Sequence, residues 1–136
     1  MTIGEFLSAR LDEDEAAAKA TSVVSVESRY KSGANLLPAV ARLLFHRRFD
    51  PEHVLADVAA KRRVMARHRP ATGNEPGWYS YVGSCIGCGT EGEFADPRTR
   101  HIDDCPELRD LAAPNAGHPD YNPSWRVPTT EENDHG

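Results

Sequence analysis

The sequence is poor in the residues that build large cores: of its 136 residues, only 7% are aromatic and 39% are hydrophobic in total. At this length, folding buries roughly two-thirds of the surface that the unfolded chain exposes, which suits one modest domain. A large catalytic α/β fold is therefore not expected. The longest nearly apolar run covers residues 36–45 and contains Arg42. Because a membrane-spanning helix needs about 20 apolar residues, no span is predicted.

Cysteine is scarce, with three residues in the chain, and an odd number does not suit a disulfide framework. The pattern also lacks a secretion signal, since Glu5, Arg10 and Asp12 interrupt the N-terminal stretch. We therefore expect a cytoplasmic protein without a membrane anchor, in which the cysteines bind a metal ion rather than form disulfides.

The net charge of -5 is unevenly distributed along the chain. Residues 1–20 sum to -3 and residues 101–136 to -6, whereas residues 36–70 sum to +5. The basic residues of that middle segment are Arg42, Arg47, Arg48, Lys61, Arg62, Arg63, Arg67 and Arg69. They can contact nucleic-acid phosphates or a protein partner, or they can pair with the chain's own acidic ends. The acidic total favours pairing within the chain, because nucleic-acid-binding domains commonly have a pI above about 9.

Capping signals and apolar spacing predict a mainly α fold. Thr2 and Glu5 form a capping box, and Asp50 followed by Pro51 is a strong helix start. The predicted helices are residues 3–20, 36–48, 51–69 and 106–112, of which the second and third would form a helical hairpin. A short strand is predicted for residues 78–82, and residues 21–30 form either a strand or an irregular connection.

Residues 71–100 contain six of the ten glycines and few aliphatic side chains, so they cannot build an ordinary core. We expect three regions: a helical region at 1–70, a zinc-binding module with an extended arm at 71–126, and a disordered tail at 127–136. The aromatic residues of the arm, residues 118–125, are expected to pack on the body of the protein, and the alternative is that they form a peptide-binding or stacking surface.

All three cysteines lie in the pattern C-x2-C-x12-H-x3-C, which contains Cys85, Cys88, His101 and Cys105. Two thiolates three residues apart can face one ion from a tight turn, and His101 and Cys105 lie four apart, on one helical face. We expect these four residues to bind one structural zinc ion, which would supply folding free energy to the glycine-rich segment. The module would be a β-hairpin followed by a helix, resembling a treble clef or a zinc ribbon.

Three alternatives to this zinc site remain open. Cys85 and Cys88 could act as a redox dithiol, or the cysteines could be incidental buried thiols. Asp103 or Asp104 could replace His101, although carboxylates at this place more often cap a helix. The remaining histidines of the basic segment, His46, His53 and His68, lie beside arginines and are expected to face solvent rather than bind metal.

The sequence contains no Ser-His-Asp arrangement, phosphate-binding glycine loop, dinucleotide fingerprint or zinc deaminase signature. We therefore expect a non-enzymatic zinc-binding protein that interacts with a protein partner. The alternative is a nucleic-acid-binding module that uses the basic segment. A zinc-dependent enzyme is the third hypothesis, and it would require an open coordination position, with His101 not a ligand.

Five segments and Trp125 resemble a small uncharacterised family, a domain of unknown function in actinobacteria and their phages. The segments are EFLSARLDEDE at residues 5–15, DPEHVL at 50–55, AKRR at 60–63, CPELR at 105–109 and HPDY at 118–121. These are helix and tail patterns rather than catalytic motifs. The resemblance implies a cytoplasmic protein, encoded by a bacterium or a phage, and it brings no activity with it.

Overall fold

The computed structural model describes residues 1–21 and 50–128, and this part of the chain is mainly helical. Its α-helices are α1 (Ile3–Thr21), α2 (Pro51–Arg67) and α3 (Pro106–Ala112), and they are accompanied by a small two-stranded sheet. The predicted helix at 36–48, most of the connection at 21–30 and most of the tail lie outside the described residues. None of the helices described has the length and apolar sequence that a membrane span requires.

Helix α1 begins at the predicted capping box. The Thr2 amide donates to Oε2 of Glu5 over 2.7 Å, and the Glu5 amide donates back to the Thr2 hydroxyl over 3.3 Å. These bonds with Thr2 lower the pKa of Glu5. On the inner face Ile3, Phe6 and Leu7 are buried, as their helical spacing predicts.

Helix α2 also begins where the sequence predicts. The side chain of Asp50 accepts a hydrogen bond from the His53 amide over 2.6 Å, and Pro51 occupies the first helical position. The last helical residue is Arg67, two residues before the predicted end. The amide of His68 still donates to the carbonyl oxygen of Val64 over 2.9 Å, so the position of His68 is fixed by the last turn of the helix.

The strand predicted for residues 78–82 is wrong, because these residues form consecutive turns. Gly77 and Gly83 on either side adopt positive φ angles of 86° and 87°, which interrupt an extended chain. The strands of this region are β1 (Thr90–Glu91) and β2 (Asp96–Pro97), which pair antiparallel with Thr90 opposite Pro97. Secondary structure in residues 68–101 is therefore limited to these short strands, one isolated bridge and turns.

Helix α3 matches its predicted bounds and follows a short 3-10 turn at Ile102–Asp104. The C-terminal arm then folds onto the first turns of α1. The ring of Phe6 lies 5.3 Å from that of Trp125 and 5.9 Å from that of Tyr121, measured between centroids. Trp125 is almost fully buried, which confirms the predicted packing of the arm.

The chain divides into two compact units, one formed by Met1–Ala9 with Lys61–Gly136 and the other by Arg10–Ala60. His68 and residues 1–9 belong to the same unit as the cysteine-containing segments. The core of the first unit contains Ile3, Phe6, Leu7, Cys85, Ile102, Cys105, Leu108, Ala112, Tyr121 and Trp125. In the second unit Leu11, Ala18 and Val58 are buried.

Candidate metal centre

One histidine and the three cysteines converge on a common point. Nδ1 of His68 lies 3.5 Å from Sγ of Cys85, 3.7 Å from Sγ of Cys88 and 3.4 Å from Sγ of Cys105. Sγ of Cys105 is 3.6 Å from both other sulfurs. All four atoms lie within 4.8 Å of one another, and the group could hold a metal ion.

These distances fit a tetrahedral metal site. Zinc bond lengths of about 2.3 Å to sulfur and 2.0–2.1 Å to nitrogen correspond to separations of about 3.8 Å between sulfurs and about 3.6 Å between sulfur and nitrogen. The separations within the cluster given above are 3.4–3.7 Å. A disulfide would need about 2.05 Å. The three cysteines are free thiols, and two of them are buried.

The four ligand atoms come from three separate chain segments. His68 follows the last residue of α2, Cys85 and Cys88 lie in one tight turn, and Cys105 is the residue before α3. Hydrogen bonds hold the first two segments together: the Ile86 amide donates to the Arg69 carbonyl oxygen over 3.1 Å. An isolated β-bridge pairs Pro70 with Cys85. A metal ion would thus cross-link segments that have little regular structure of their own.

Two glycines shape the turn that contains Cys85 and Cys88. The amide of Gly89 donates to the Ile86 carbonyl oxygen over 3.0 Å, and its φ of 76° lies in the left-handed region that glycine adopts readily. A β-carbon on Gly87 would collide with the carbonyl oxygen of Arg67. The turn can approach the end of α2, and therefore His68, only because residue 87 lacks a side chain.

Burial makes the thiols of Cys85 and Cys105 reluctant to ionise on their own, because it raises the pKa of each. It raises the pKa of Cys105 to about 12, although the backbone amide of Leu108 acts in the opposite direction. Burial also raises the pKa of Cys85, against the effect of the Cys88 amide. Thiolates are the form that binds metal, so a divalent cation would replace protons in this pocket.

The loop that follows His68 is fixed by a carboxylate. Oε1 of Glu75 accepts from Nη1 of Arg69 over 2.8 Å, and the Glu75 carboxylate also accepts from the amides of Thr72 and Gly73. The hydrogen bond with Arg69 lowers the pKa of Glu75 to about 2. This arrangement holds the chain between His68 and the cysteine turn in a defined path.

The structure does not bring the predicted fourth ligand, His101, to the cysteines. Its side chain is exposed, and its Nδ1 accepts a hydrogen bond from the Asp103 amide over 3.1 Å, which caps the 3-10 turn. His68 takes its place, although the sequence placed His68 in solvent. Asp103 and Asp104 are not in the cluster either: they contact the Ile3 amide and Arg109, respectively.

Spacing alone could not reveal His68, since it lies 17 positions before Cys85 and on the other side of Pro70. The one sequence signal that points to a neighbouring segment is the glycine between the two cysteines, at a position where a backbone approaches closely. Of the other predicted site residues, Lys61, Arg62, Arg63 and Arg67 lie on α2, and Arg69 lies just after it. Arg42, Arg47 and Arg48 lie outside the described residues.

Comparison with protein-family models gives a match over residues 1–127 to a family of unknown function, DUF6221. The chain belongs to this family. The resemblance to an uncharacterised family is therefore confirmed. Membership of this family assigns neither an activity nor a source organism to the chain. Comparisons with curated proteins and with solved structures give no significant match.

Proposed function

We propose that the protein binds one structural zinc ion through His68, Cys85, Cys88 and Cys105, and that the zinc-bound module acts as a non-enzymatic interaction surface. The observation that supports this proposal is the tetrahedral spacing of three sulfur atoms and one imidazole nitrogen from three chain segments. Thiolate-rich sites select zinc, iron–sulfur or copper(I) over magnesium and calcium, and a single tetrahedral set of three sulfurs and one nitrogen suits zinc.

A structural role follows from the number of ligands. Four protein side chains fill the coordination sphere of zinc, which leaves no position for a water molecule or a substrate. A zinc-dependent enzyme would need one of the four to leave. Three free thiols also suit a reducing compartment, which is the basis for proposing a cytoplasmic location.

The interaction role rests on apolar side chains that this small module leaves in solvent. Tyr79 is 67% exposed, Val82 69% and Phe94 81%. Exposed aromatic side chains are typical anchors of protein interfaces. Phe94 lies in the β1–β2 turn near two exposed glutamates, Glu91 and Glu93, which favours a protein partner over a polyanion. The resemblance to bacterial and phage proteins adds the proposal that the partner is a host or phage protein.

Nucleic-acid binding is the second candidate. Arg63 and Arg67 are exposed one turn apart at the end of α2, and Arg98 and Arg100 are exposed near the metal centre. Phosphate contacts by such residues would make binding weaken steeply with salt, whereas docking through Phe94 would not.

The zinc proposal is tested by native mass spectrometry of the freshly purified protein, with metal analysis and chelator titration. We expect one zinc ion per chain. Cobalt(II) substitution then tests the closed shell: intense visible d–d absorption indicates four-coordinate geometry, and thiolate charge-transfer bands indicate sulfur ligands. Absence of metal together with reversible disulfide formation would contradict the proposal, and a five- or six-coordinate cobalt spectrum would favour an open, catalytic site.

The interaction proposal is tested by affinity capture from bacterial extract, with and without nuclease treatment, at two salt concentrations. We expect a protein that is retained by the zinc-loaded wild type and by Ser80→Ala, a control in an exposed polar position near Tyr79. The Phe94→Ser variant should no longer retain this protein. Retention that disappears with nuclease or high salt and is unaffected by Phe94→Ser would support nucleic-acid binding instead.

A further inference from the structure

The start of helix α1 is bonded to the segment that leads into the metal centre. The amide of Ile3 donates to Oδ1 of Asp103 over 2.8 Å, across 100 positions of sequence. Asp103 lies in the 3-10 turn just two residues before Cys105. The carbonyl oxygen of Asp103 accepts a further bond from Nε of Arg109 over 2.8 Å, which fixes the turn against α3.

The same two parts of the chain share a core. Ile3 and Phe6 have no exposed surface, and neither do the two ligands Cys85 and Cys105. All four belong to one hydrophobic cluster. A metal ion bound by Cys85 and Cys105 would therefore adjoin the same hydrophobic core as the apolar face of the first turns of α1.

Backbone hydrogen bonds connect the Cys105 turn to the turn-rich segment around Gly83. The amide of Cys105 donates to the Ile102 carbonyl oxygen over 3.1 Å, and the Ile102 amide donates to the Gly83 carbonyl oxygen over 2.8 Å. Gly83 itself lies in the turn-rich segment, which has only two-residue strands. Without metal bonds to Cys105 and Cys85, the segment that positions the Asp103 carboxylate would lose a direct cross-link to the cysteine turn.

We propose that Asp103 is a positioning residue that couples metal occupancy to docking of residues 1–9 on the metal module. This inference rests on the proposed zinc site. A bound ion holds the Cys105 turn, and the turn presents the Asp103 carboxylate to the amide of Ile3. Thermodynamic linkage makes the effect reciprocal, so that docking of α1 raises the metal affinity by the same factor by which the metal favours docking.

The test combines hydrogen exchange with a zinc affinity measured by competition with a chelator on the full chain. In the wild type, zinc removal should increase amide exchange in residues 6–9 by about fivefold or more. Asp103→Ala should lower zinc affinity by a similar factor and reduce the zinc-dependent difference in exchange. Asp103→Asn keeps an oxygen acceptor, so it should restore much of the zinc affinity and much of the zinc-dependent difference in exchange. Asp104→Ala is the matched control, since its carboxylate contacts Nη2 of Arg109 instead.

The outcomes separate the two proposals. Zinc binding with equal exchange of residues 6–9 in the loaded and chelated wild type would overturn the coupling and leave the metal site in place. Equal zinc affinities of Asp103→Ala and Asp104→Ala would also overturn it. No zinc binding by the wild type would overturn the proposed function itself. The wild-type comparison needs no variant, so poor folding of Asp103→Ala does not prevent a decision.

Discussion

Gly87 lies so close to Arg67 that a β-carbon on Gly87 would overlap the Arg67 carbonyl oxygen and lie 2.8 Å from Nδ1 of His68. His68 can therefore lie close to the cysteines only because residue 87, in the cysteine turn, is a glycine without a side chain.

Gly87→Ala should weaken metal binding. Overpacking costs about 1–3 kcal/mol, which corresponds to roughly 5- to 150-fold in affinity if the strain falls on the metal-bound geometry. Chelator competition measures the effect. Gly117→Ala is the matched control, because a β-carbon on Gly117 meets nothing within 4 Å. Equal zinc affinities of Gly87→Ala and Gly117→Ala would show that the cysteine turn and α2 can move apart without weakening metal binding.

A pair of histidine variants tests which histidine binds the metal. His68→Ala should lower zinc affinity by more than the roughly 10- to 100-fold that loss of an outer-shell partner causes. His101→Ala should lower zinc affinity far less than His68→Ala does, and it should also lose some folding stability because the cap of the 3-10 turn is missing. Native mass spectrometry and unfolding curves measure both. The reverse order of affinities would restore the histidine expected from the sequence spacing.

Metal binding should release protons and strengthen as pH rises. Burial raises the pKa of Cys105 to about 12 and raises that of Cys85, so both thiols are neutral at about pH 7 in the metal-free protein. Because coordination requires thiolates, at least about two protons should leave per ion. Calorimetric titration in buffers of different ionisation enthalpy counts them. Release of fewer than about one proton would mean that these thiols are not ligands.

The metal-free protein should lose stability at high pH. The folded thiol of Cys105 has a pKa of about 12, above its ordinary value of 9.0, so folding favours the neutral form. The stabilisation is complete below pH 9 and disappears as pH rises from 9 through about 12. Denaturant unfolding of chelated protein across this range measures it. Zinc-loaded protein, with its thiolates bound, should show a weaker dependence.

Glu75→Gln should destabilise the loop between His68 and the cysteines. The pKa of Glu75 is lowered to about 2, chiefly by its hydrogen bond with Arg69. Its contribution to stability is therefore complete above its ordinary pKa of 4.5 and disappears as pH falls through about 2. The difference in unfolding free energy between wild type and Glu75→Gln should be present at about pH 7 and shrink in acid. If this difference in unfolding free energy did not change with pH, the shape of the Glu75 side chain rather than its charge would stabilise the loop.

Local sequence patterns were enough to predict where the described helices begin and most of the candidate site. Capping residues and apolar spacing act within a few positions, so the starts of α1 and α2, the bounds of α3 and the buried stripe of α1 could all be predicted. The three cysteines were identified in the same way, because two of them share one turn and the third adjoins a helix start. The prediction of a strand at residues 78–82 was wrong because the turns around Gly77 and Gly83 outweighed the β propensity of its side chains.

Tertiary packing, rather than local sequence, brings the histidine that completes the cluster to the three cysteines. His101 has the right spacing from Cys105, but a local hydrogen bond to the Asp103 amide uses its Nδ1. His68 is distant in sequence, and it reaches the sulfurs because α2 ends beside a turn whose glycine lets two backbones meet. Local patterns follow from the energetics of neighbouring residues, whereas a ligand from a separate segment depends on packing across the whole unit.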